Sequence, residues 1–334
     1  MIEQKRLYRG LSVEDLITGV KNGDISLLSR AITLSESVKK EHQKMADDLL
    51  MALLPDTGKS IRLGITGVPG VGKSTFIEAF GDYLTTQGHR VAVLAVDPSS
   101  SKSGGSILGD KTRMEQLSQN PNAYIRPSPT GGKLGGVARM TRESVLLCEA
   151  AGFDVILIET VGAGQNEITV ADMVDLFMVL MLPNAGDELQ GIKKGVLELA
   201  DLVVVNKADG DFEKTARRAA RDYKSALHIM ADHDAVWQPK VTTVSALHKK
   251  GMDDVWSLVL DYKEKTQAGD VFEQKRKNQQ VHWMWSHISD ALQADFMADK
   301  SVKDALPDVE AKLMSSDLTA AVAASNLLKL YYAR

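Results

Sequence analysis

Between residues 11 and about 54, apolar side chains recur every three or four positions, the spacing of helices that each bury one face. Ser12 and Asp15 fit a capping box at the start, Asn22-Gly23-Asp24 interrupts the pattern, and it resumes toward LLMALLP before Pro55 to Ser60 lead out. From residue 61 the period changes. Short β-branched runs, RLGIT, RVAVLAVD, AYIRP, DVILIET, VDLFMVLMLP, DLVVVNK and PKVTTVSA, alternate with helical stretches. Several are apolar on successive rather than alternate residues, as strands covered on both faces must be. The pattern predicts an α/β fold: a doubly wound, mostly parallel sheet with helices on both sides. After about residue 265 strand signals stop. QKRKNQQVHWMWSHISDALQADFMADK continues as a long amphipathic helix offering Trp283, Trp285, Ile288 and Leu292 for packing, and DLTAAVAASNLLKLYYAR closes the chain. The expected division is a helical N-terminal arm over 1–58, an α/β domain over 59–265 and a helical extension over 266–334.

Composition narrows the classes of function. The 334 residues carry 44% hydrophobic and 25% charged side chains, as an ordinary globular chain does, and no apolar run is long enough for a membrane helix. A net charge of -4 supplies no basic field for nucleic acid or an anionic membrane, so neither is an expected partner. The opening MIEQKRLYRG resembles neither a secretory signal nor a transit peptide, which implies a cytoplasmic chain. Cys148, the single cysteine, lies in an apolar helical stretch and reads as packing. The seven histidines are scattered and form no metal-ligand cluster with it.

Chemistry enters at Gly67-Val68-Pro69-Gly70-Val71-Gly72-Lys73-Ser74, a complete G-x-x-x-x-G-K-[ST] motif between the strand RLGIT and the helical stretch TFIEAFGDYL that opens at Thr75. Glycines let backbone N–H groups curl around phosphates, and the helix that follows adds its partial positive charge. Lys73 is expected on the β- and γ-phosphates, with the Ser74 hydroxyl on a magnesium ion. Gly58-Lys59-Ser60 also spells GKS, but Leu53 stands where the first glycine is needed, so this copy reads as linker.

Two strand runs end in carboxylates beside the loop, Asp97 after RVAVLAV and Glu159 in Glu159-Thr160-Val161-Gly162. The second is a glutamate form of the D-x-x-G element, whose carboxylate serves magnesium and whose glycine N–H, here Gly162, senses the γ-phosphate. Asp110 in GDKTRM is a third candidate metal carboxylate, with helix capping as its alternative. Ala163 stands where Ras-like enzymes carry a water-orienting glutamine, which predicts slow intrinsic hydrolysis stimulated by a partner.

Asn206-Lys207-Ala208-Asp209 follows the run DLVVV and spells N-K-x-D. The Asp209 carboxylate can accept from both N1–H and the exocyclic amine of guanine, donors adenine lacks at those edges, so GTP and GDP are the expected ligands rather than ATP. Lys207 would lie along the base plane and Asn206 would tie this loop to the phosphate loop. Ser245-Ala246-Leu247 fits the further element whose Ala246 N–H meets guanine O6.

In this order GVPGVGKST, AVDPSS, GDKTRM, ETVGAGQNE, NKAD and SAL resemble the G3E GTPases, and within them the methylmalonyl-CoA mutase-associated group, MeaB-like and also labelled ArgK. The likeness covers nearly the whole chain, and the glutamate of ExxG separates it from Ras-like proteins. The resemblance implies a homodimer built through the C-terminal helices and a chaperone role toward an adenosylcobalamin-dependent methylmalonyl-CoA mutase. It also maps a further switch loop onto Leu182 to Gly191, with Lys193 just beyond. The alternatives are a phosphotransferase, as the ArgK label suggests, and a metal-delivery GTPase. Gly131 to Gly136 reads as a hinge or lid, or else as a turn before a helix beginning near Val137.

Overall fold

The computed structural model describes residues 11–37, 39–96, 114–127, 134–160, 167–183, 194–230 and 235–333. The chain falls into two compact units, Met1–Gln279 and Gln280–Arg334. The first opens with helices α1 (Val13–Lys21), α2 (Ile25–Ser35) and α3 (Lys40–Leu53). The capping box forms as its residues require: Ser12 Oγ accepts from Asp15 N–H at 3.1 Å, and an Asp15 carboxylate oxygen accepts from Ser12 N–H at 2.8 Å. Asp24 then caps α2 by accepting from the N–H groups of Ser26 and Leu27.

All seven apolar runs become strands of one sheet: β1 (Ile61–Gly67), β2 (Val91–Val96), β3 (Ala123–Arg126), β4 (Val155–Thr160), β5 (Leu176–Met181), β6 (Leu202–Val205) and β7 (Lys240–Thr243). Their order is β3-β2-β4-β1-β5-β6-β7 and each pairing is parallel. Every residue of β2, β4, β5 and β6 is buried, which explains why those runs lack polar alternation. The helices between strands are α4 (Lys73–Thr86), α5 (Glu115–Ser118), α6 (Leu134–Ala150), α7 (Glu167–Ala171), α8 (Lys194–Glu198) and α9 (Glu213–Met230), followed by α10 (Met252–Ala268). One expectation is corrected. Helix α6 begins at Leu134, so Gly135 and Gly136 lie in its first turn rather than in a turn before Val137. N–H groups there need no acceptor four residues back, so glycine ends the helix less readily than in its interior.

Because the strands are parallel, their C-terminal ends share one edge, which gathers the ends of β1, β4, β6 and β7 on one side of the sheet. The opposite edge is closed by buried charge. Glu149, near the end of α6, takes a two-pronged bond from the Arg62 guanidinium at 2.9 and 3.0 Å, a third bond from Ser60 Oγ at 2.6 Å and a fourth from Gly58 N–H at 2.8 Å. Asp175 accepts from Arg62 N–H and from both prongs of Arg276, which also donates to the carbonyls of Gly58 and Ser60. Arg276 lies on α11 (Val271–Ala298), the helix that crosses from the first unit into the second. Charges this buried cost several kcal/mol each unless they are fully hydrogen-bonded, and here they are well supplied with partners. Cys148 is fully buried and its thiol is pushed well above the usual range by burial, consistent with packing.

In the second unit the remainder of α11 is joined by α12 (Lys300–Met314) and α13 (Ala320–Tyr332) around a small core of Val302, Val309, Ala323 and Leu327. Val281, Trp285, Ile288 and Leu292, spaced as one stripe of α11, are exposed. Among the described residues no helix is long and apolar enough to cross a membrane.

Glu143 of α6 is a pH-sensitive point of the fold. Its Oε2 is buried without a hydrogen-bond partner, and Arg139 Nε stands 3.6 Å from its Oε1, too far for a hydrogen bond. Burial raises its pKa to about 7, reinforced by Asp47 of α3 and by Glu36, and opposed by Arg139 and Arg142. A folded-state value above the unfolded 4.5 means the native protein holds the extra proton between the two, so stability falls as pH rises from about 4.5 through 7. Glu143→Gln is expected to flatten that decline and raise the melting temperature at pH 8, measured by thermal unfolding across pH; an unchanged profile would place the titration elsewhere.

Candidate nucleotide site

The phosphate loop is built by residues that only its glycines allow. At Gly67, φ is +155°, and a Cβ there would lie 2.6 Å from the Leu180 carbonyl oxygen of neighbouring β5. Gly72 adopts φ +91° to turn the chain into α4, again a left-handed conformation that side chains resist. No side chain caps α4, so the amides of Lys73, Ser74 and Thr75 in its first turn form the positive end of the helix dipole next to the loop. Pro69 and Gly70 are exposed, Val68 and Gly72 half-buried, and Val71 fully buried as the loop's anchor. Lys73 folds back over the loop, its Nζ donating to the Gly67 carbonyl at 2.7 Å. Burial lowers its pKa, while the charges of Glu159 and Glu167 push it back up.

The purine element reaches the same loop from β6. Asn206 is buried; its Nδ2 donates to the Val71 carbonyl at 2.9 Å, and its Oδ1 accepts from Ala246 N–H at 3.1 Å. One side chain therefore joins three loops. Lys207, at φ +59°, lays its ammonium on the Gly70 carbonyl at 2.7 Å. The Asp209 carboxylate accepts from Ser245 Oγ, which in turn accepts from His248 N–H at 3.3 Å. Leu247 stands 73% exposed beside them. Such an arrangement can hold phosphates in a cradle of amides at one end and offer a fixed carboxylate to a purine at the other.

Glu159 lies on β4 opposite Ile65 of β1 and Ala95 of β2, and is buried beside the phosphate loop. The next residue, Thr160, donates from Oγ1 to Thr66 Oγ1 at 2.8 Å, pinning the end of β4 to the strand that carries the loop. Asp97, Asp110 and Gly162 lie outside the described residues, as do 184–193 with most of the expected switch loop and Lys193. Among the described residues no three His, Cys, Asp or Glu side chains gather as a metal cluster. Glu167, the last residue of ETVGAGQNE and the first of α7, carries no role in the E-x-x-G element itself, yet its charge acts on Lys73; one turn on, Val170 packs over Gly64 of β1.

Comparison with known proteins agrees with this geometry. The family model described as "Methylmalonyl Co-A mutase-associated GTPase MeaB" matches residues 28–301. This chain belongs to the MeaB family. It is 47% identical to the mitochondrial methylmalonic aciduria type A homolog of Mus musculus, over 96% of this chain and 80% of that one. It is also 49% identical to the GTPase ArgK of Escherichia coli over 82% of each chain. The crystal structure of an LAO/AO transport system kinase superposes with a TM-score of 0.78 at 37% identity, covering 98% of this chain and 99% of that one. The MeaB-family chain is thus a P-loop GTPase that binds GTP and GDP and hydrolyses GTP.

Removing the Asn206 side-chain amide would leave the Val71 carbonyl and the Ala246 N–H buried without partners. Asn206→Ala is expected to lose about 2 to 4 kcal/mol of stability, measured by urea unfolding without nucleotide, and to weaken GDP binding. Full GDP affinity in that variant would show that the three loops hold their positions by other means.

Proposed function

We propose that this chain is a magnesium-dependent GTPase whose nucleotide cycle serves as a chaperone for an adenosylcobalamin-dependent methylmalonyl-CoA mutase, governing cofactor loading or protection. The observation carrying the nucleotide half is the Asn206 bridge, which places the N-K-x-D loop directly against the phosphate loop. Support for the mutase half comes from the family description and from the methylmalonic aciduria type A relative.

In this reading the N–H groups between Gly67 and Thr75, Pro69 excepted, bind the β- and γ-phosphates and Lys73 exchanges the Gly67 carbonyl for a phosphate oxygen. The Ser74 hydroxyl, with the Glu159, Asp97 and Asp110 carboxylates, offers the hard oxygen donors that magnesium prefers. Bound there, the ion would neutralise phosphate charge. Asp209 holds guanine, with Ser245, Ala246 and Leu247 completing the slot. Water attacks the γ-phosphorus in line, the bond to the β-phosphate oxygen breaks, and GDP and phosphate leave. With Ala163 in the glutamine position, nothing in the motif orients that water, so intrinsic turnover is slow and a partner accelerates it. Gly162 N–H and the 182–191 loop report the γ-phosphate.

Residues 266–334 act as a dimerisation extension. The exposed stripe on α11, with Trp285 at 59% and Leu292 at 60%, supports a homodimer, because apolar side chains in a row are seldom left in water. The net charge of -4 and the ordinary composition support a cytoplasmic protein that does not take nucleic acid or an anionic membrane as partner.

Two measurements test the reading. Asp209→Asn is expected to lose GTP affinity on the order of a hundredfold or more while gaining xanthosine triphosphate, since the amide then donates where the carboxylate accepted. Retained GTP affinity without the gain would move the base elsewhere. Purified adenosylcobalamin-dependent methylmalonyl-CoA mutase should bind the chain in a nucleotide-dependent way and raise its GTP turnover, with a dimer seen by sedimentation. No binding, or turnover as fast without the mutase, would overturn the chaperone role. The transport-kinase neighbour keeps a phosphotransferase in view; stoichiometric ATP-dependent phosphorylation of a protein, indifferent to GTP, would establish it instead.

A further inference from the structure

The loop that carries Ser245, Ala246 and Leu247 is fastened at two ends. Its backbone closes on itself where Ser245 and Lys250 exchange both N–H···O bonds at 3.1 and 3.0 Å. The inner end is tied to the phosphate loop through Asn206 and to Asp209 through Ser245. At the outer end stands Lys249. Its Nζ donates to the Asp82 carboxylate of α4 at 2.7 Å and to Gln116 Oε1 of α5 at 3.3 Å. Helix α4 is the helix that opens on the phosphate loop, and α5 lies on it: Leu117 would be 2.6 Å from a Cβ at Gly81, and Gln116 N–H donates to Glu78 at 2.9 Å.

Lys249 holds this position in an unfavourable backbone conformation. Its φ is +53°, in the left-handed region that costs a residue with a Cβ roughly 1 kcal/mol and that glycine or asparagine would occupy more readily. The next loop position but one, Gly251, is also left-handed, and a Cβ there would meet the Thr243 carbonyl at 2.9 Å, so the path of the loop is fixed independently of Lys249. What the lysine adds is the reach of its side chain to α4 and α5.

We propose that Lys249 is a positioning residue for guanine nucleotide: by clamping the outer end of the purine loop to Asp82 and Gln116, it holds the base slot closed on a nucleotide whose phosphates sit at the start of the same helix. The inference rests on the guanine-site reading above and adds to it a residue outside the recognition motifs. The clamp contributes to retention of the base and leaves the phosphate chemistry alone. Because both partners are partly exposed, at 49% and 33% of their side-chain surfaces, the effect is modest and sensitive to salt.

The test uses the full chain with a fluorescent GDP analogue, GTP turnover, and magnesium tripolyphosphate as a competitor that has no base. Lys249→Ala and Asp82→Asn should each speed release of GDP by about two- to fivefold and raise KM for GTP by a similar factor at unchanged kcat. Lys249→Gly, which relieves the backbone but also removes the ammonium, should behave like Lys249→Ala, and Lys249→Arg should restore retention. The double variant should be no worse than either single change, the differences should vanish at about 1 M salt, where screening acts within ~3 Å, and tripolyphosphate affinity should stay at the wild-type level. Wild-type GDP release in both single variants would overturn the clamp, as would a wild-type rate in Lys249→Gly alone or an equal loss of tripolyphosphate affinity. Should Asp209→Asn keep its GTP affinity, the guanine site itself fails; should it lose that affinity while Lys249→Ala releases GDP normally, only the clamp fails.

Discussion

A single buried amide carries the geometry of the site. Asn206 can donate and accept at once, and it spends one group on the phosphate loop and the other on the loop after β7. Replacing it by an apolar side chain of similar size would strand two backbone groups, and a carboxylate would present two acceptors where one donor is required. The spacing between the phosphate loop and the loops that carry Asp209 and Ala246 is therefore held in large part by one residue. That distance is what a nucleotide binder has to keep constant, since the ligand's own length is fixed.

The two edges of the sheet are treated oppositely. At the edge away from the nucleotide, Arg62, Glu149, Asp175 and Arg276 bury their charges with bonds to Gly58 and Ser60, so the arm's exit, β1, α6 and the start of α11 are locked to one another. At the nucleotide edge the bonds run between loops and are mostly uncharged or shared with backbone carbonyls, as at Asn206, Lys73 and Lys207. β1 spans both, with Arg62 in the locked network and Gly67 in the cradle. A rigid strand rooted in a satisfied ion network gives the loop at its other end a fixed base.

Much of this was legible in the chain. Runs such as DVILIET and DLVVVNK lack alternation because both of their faces are covered, and a glycine pattern that permits φ near +90° announces a phosphate loop by spacing alone. What could not be read were interactions between residues far apart in sequence that belong to no motif. Glu149 looks like any helix-surface acid, and Arg276 like one of three consecutive basic residues on a solvated face. Each acquires its role from the strand order, which brings β4 and β5 to the two sides of β1. The start of α6 escaped for a local reason: two glycines suggest a break, but a helix's first turn asks little of them.

Lys73 shows how the site can be ready for ligand without being costly to keep. Burial alone would drive its ammonium toward neutrality, and the nearby charges of Glu159 and Glu167 oppose that shift. Its donor rests on the Gly67 carbonyl, an oxygen acceptor belonging to the loop itself. In the proposed function a phosphate would offer the lysine a more negative oxygen in place of that carbonyl, so binding would gain the difference in acceptor strength and cost little in desolvating a charge already half-buried. Lys207 on the Gly70 carbonyl is held by the same device at the purine end of the loop. Both cations thus bond to the backbone of the loop and hold its shape.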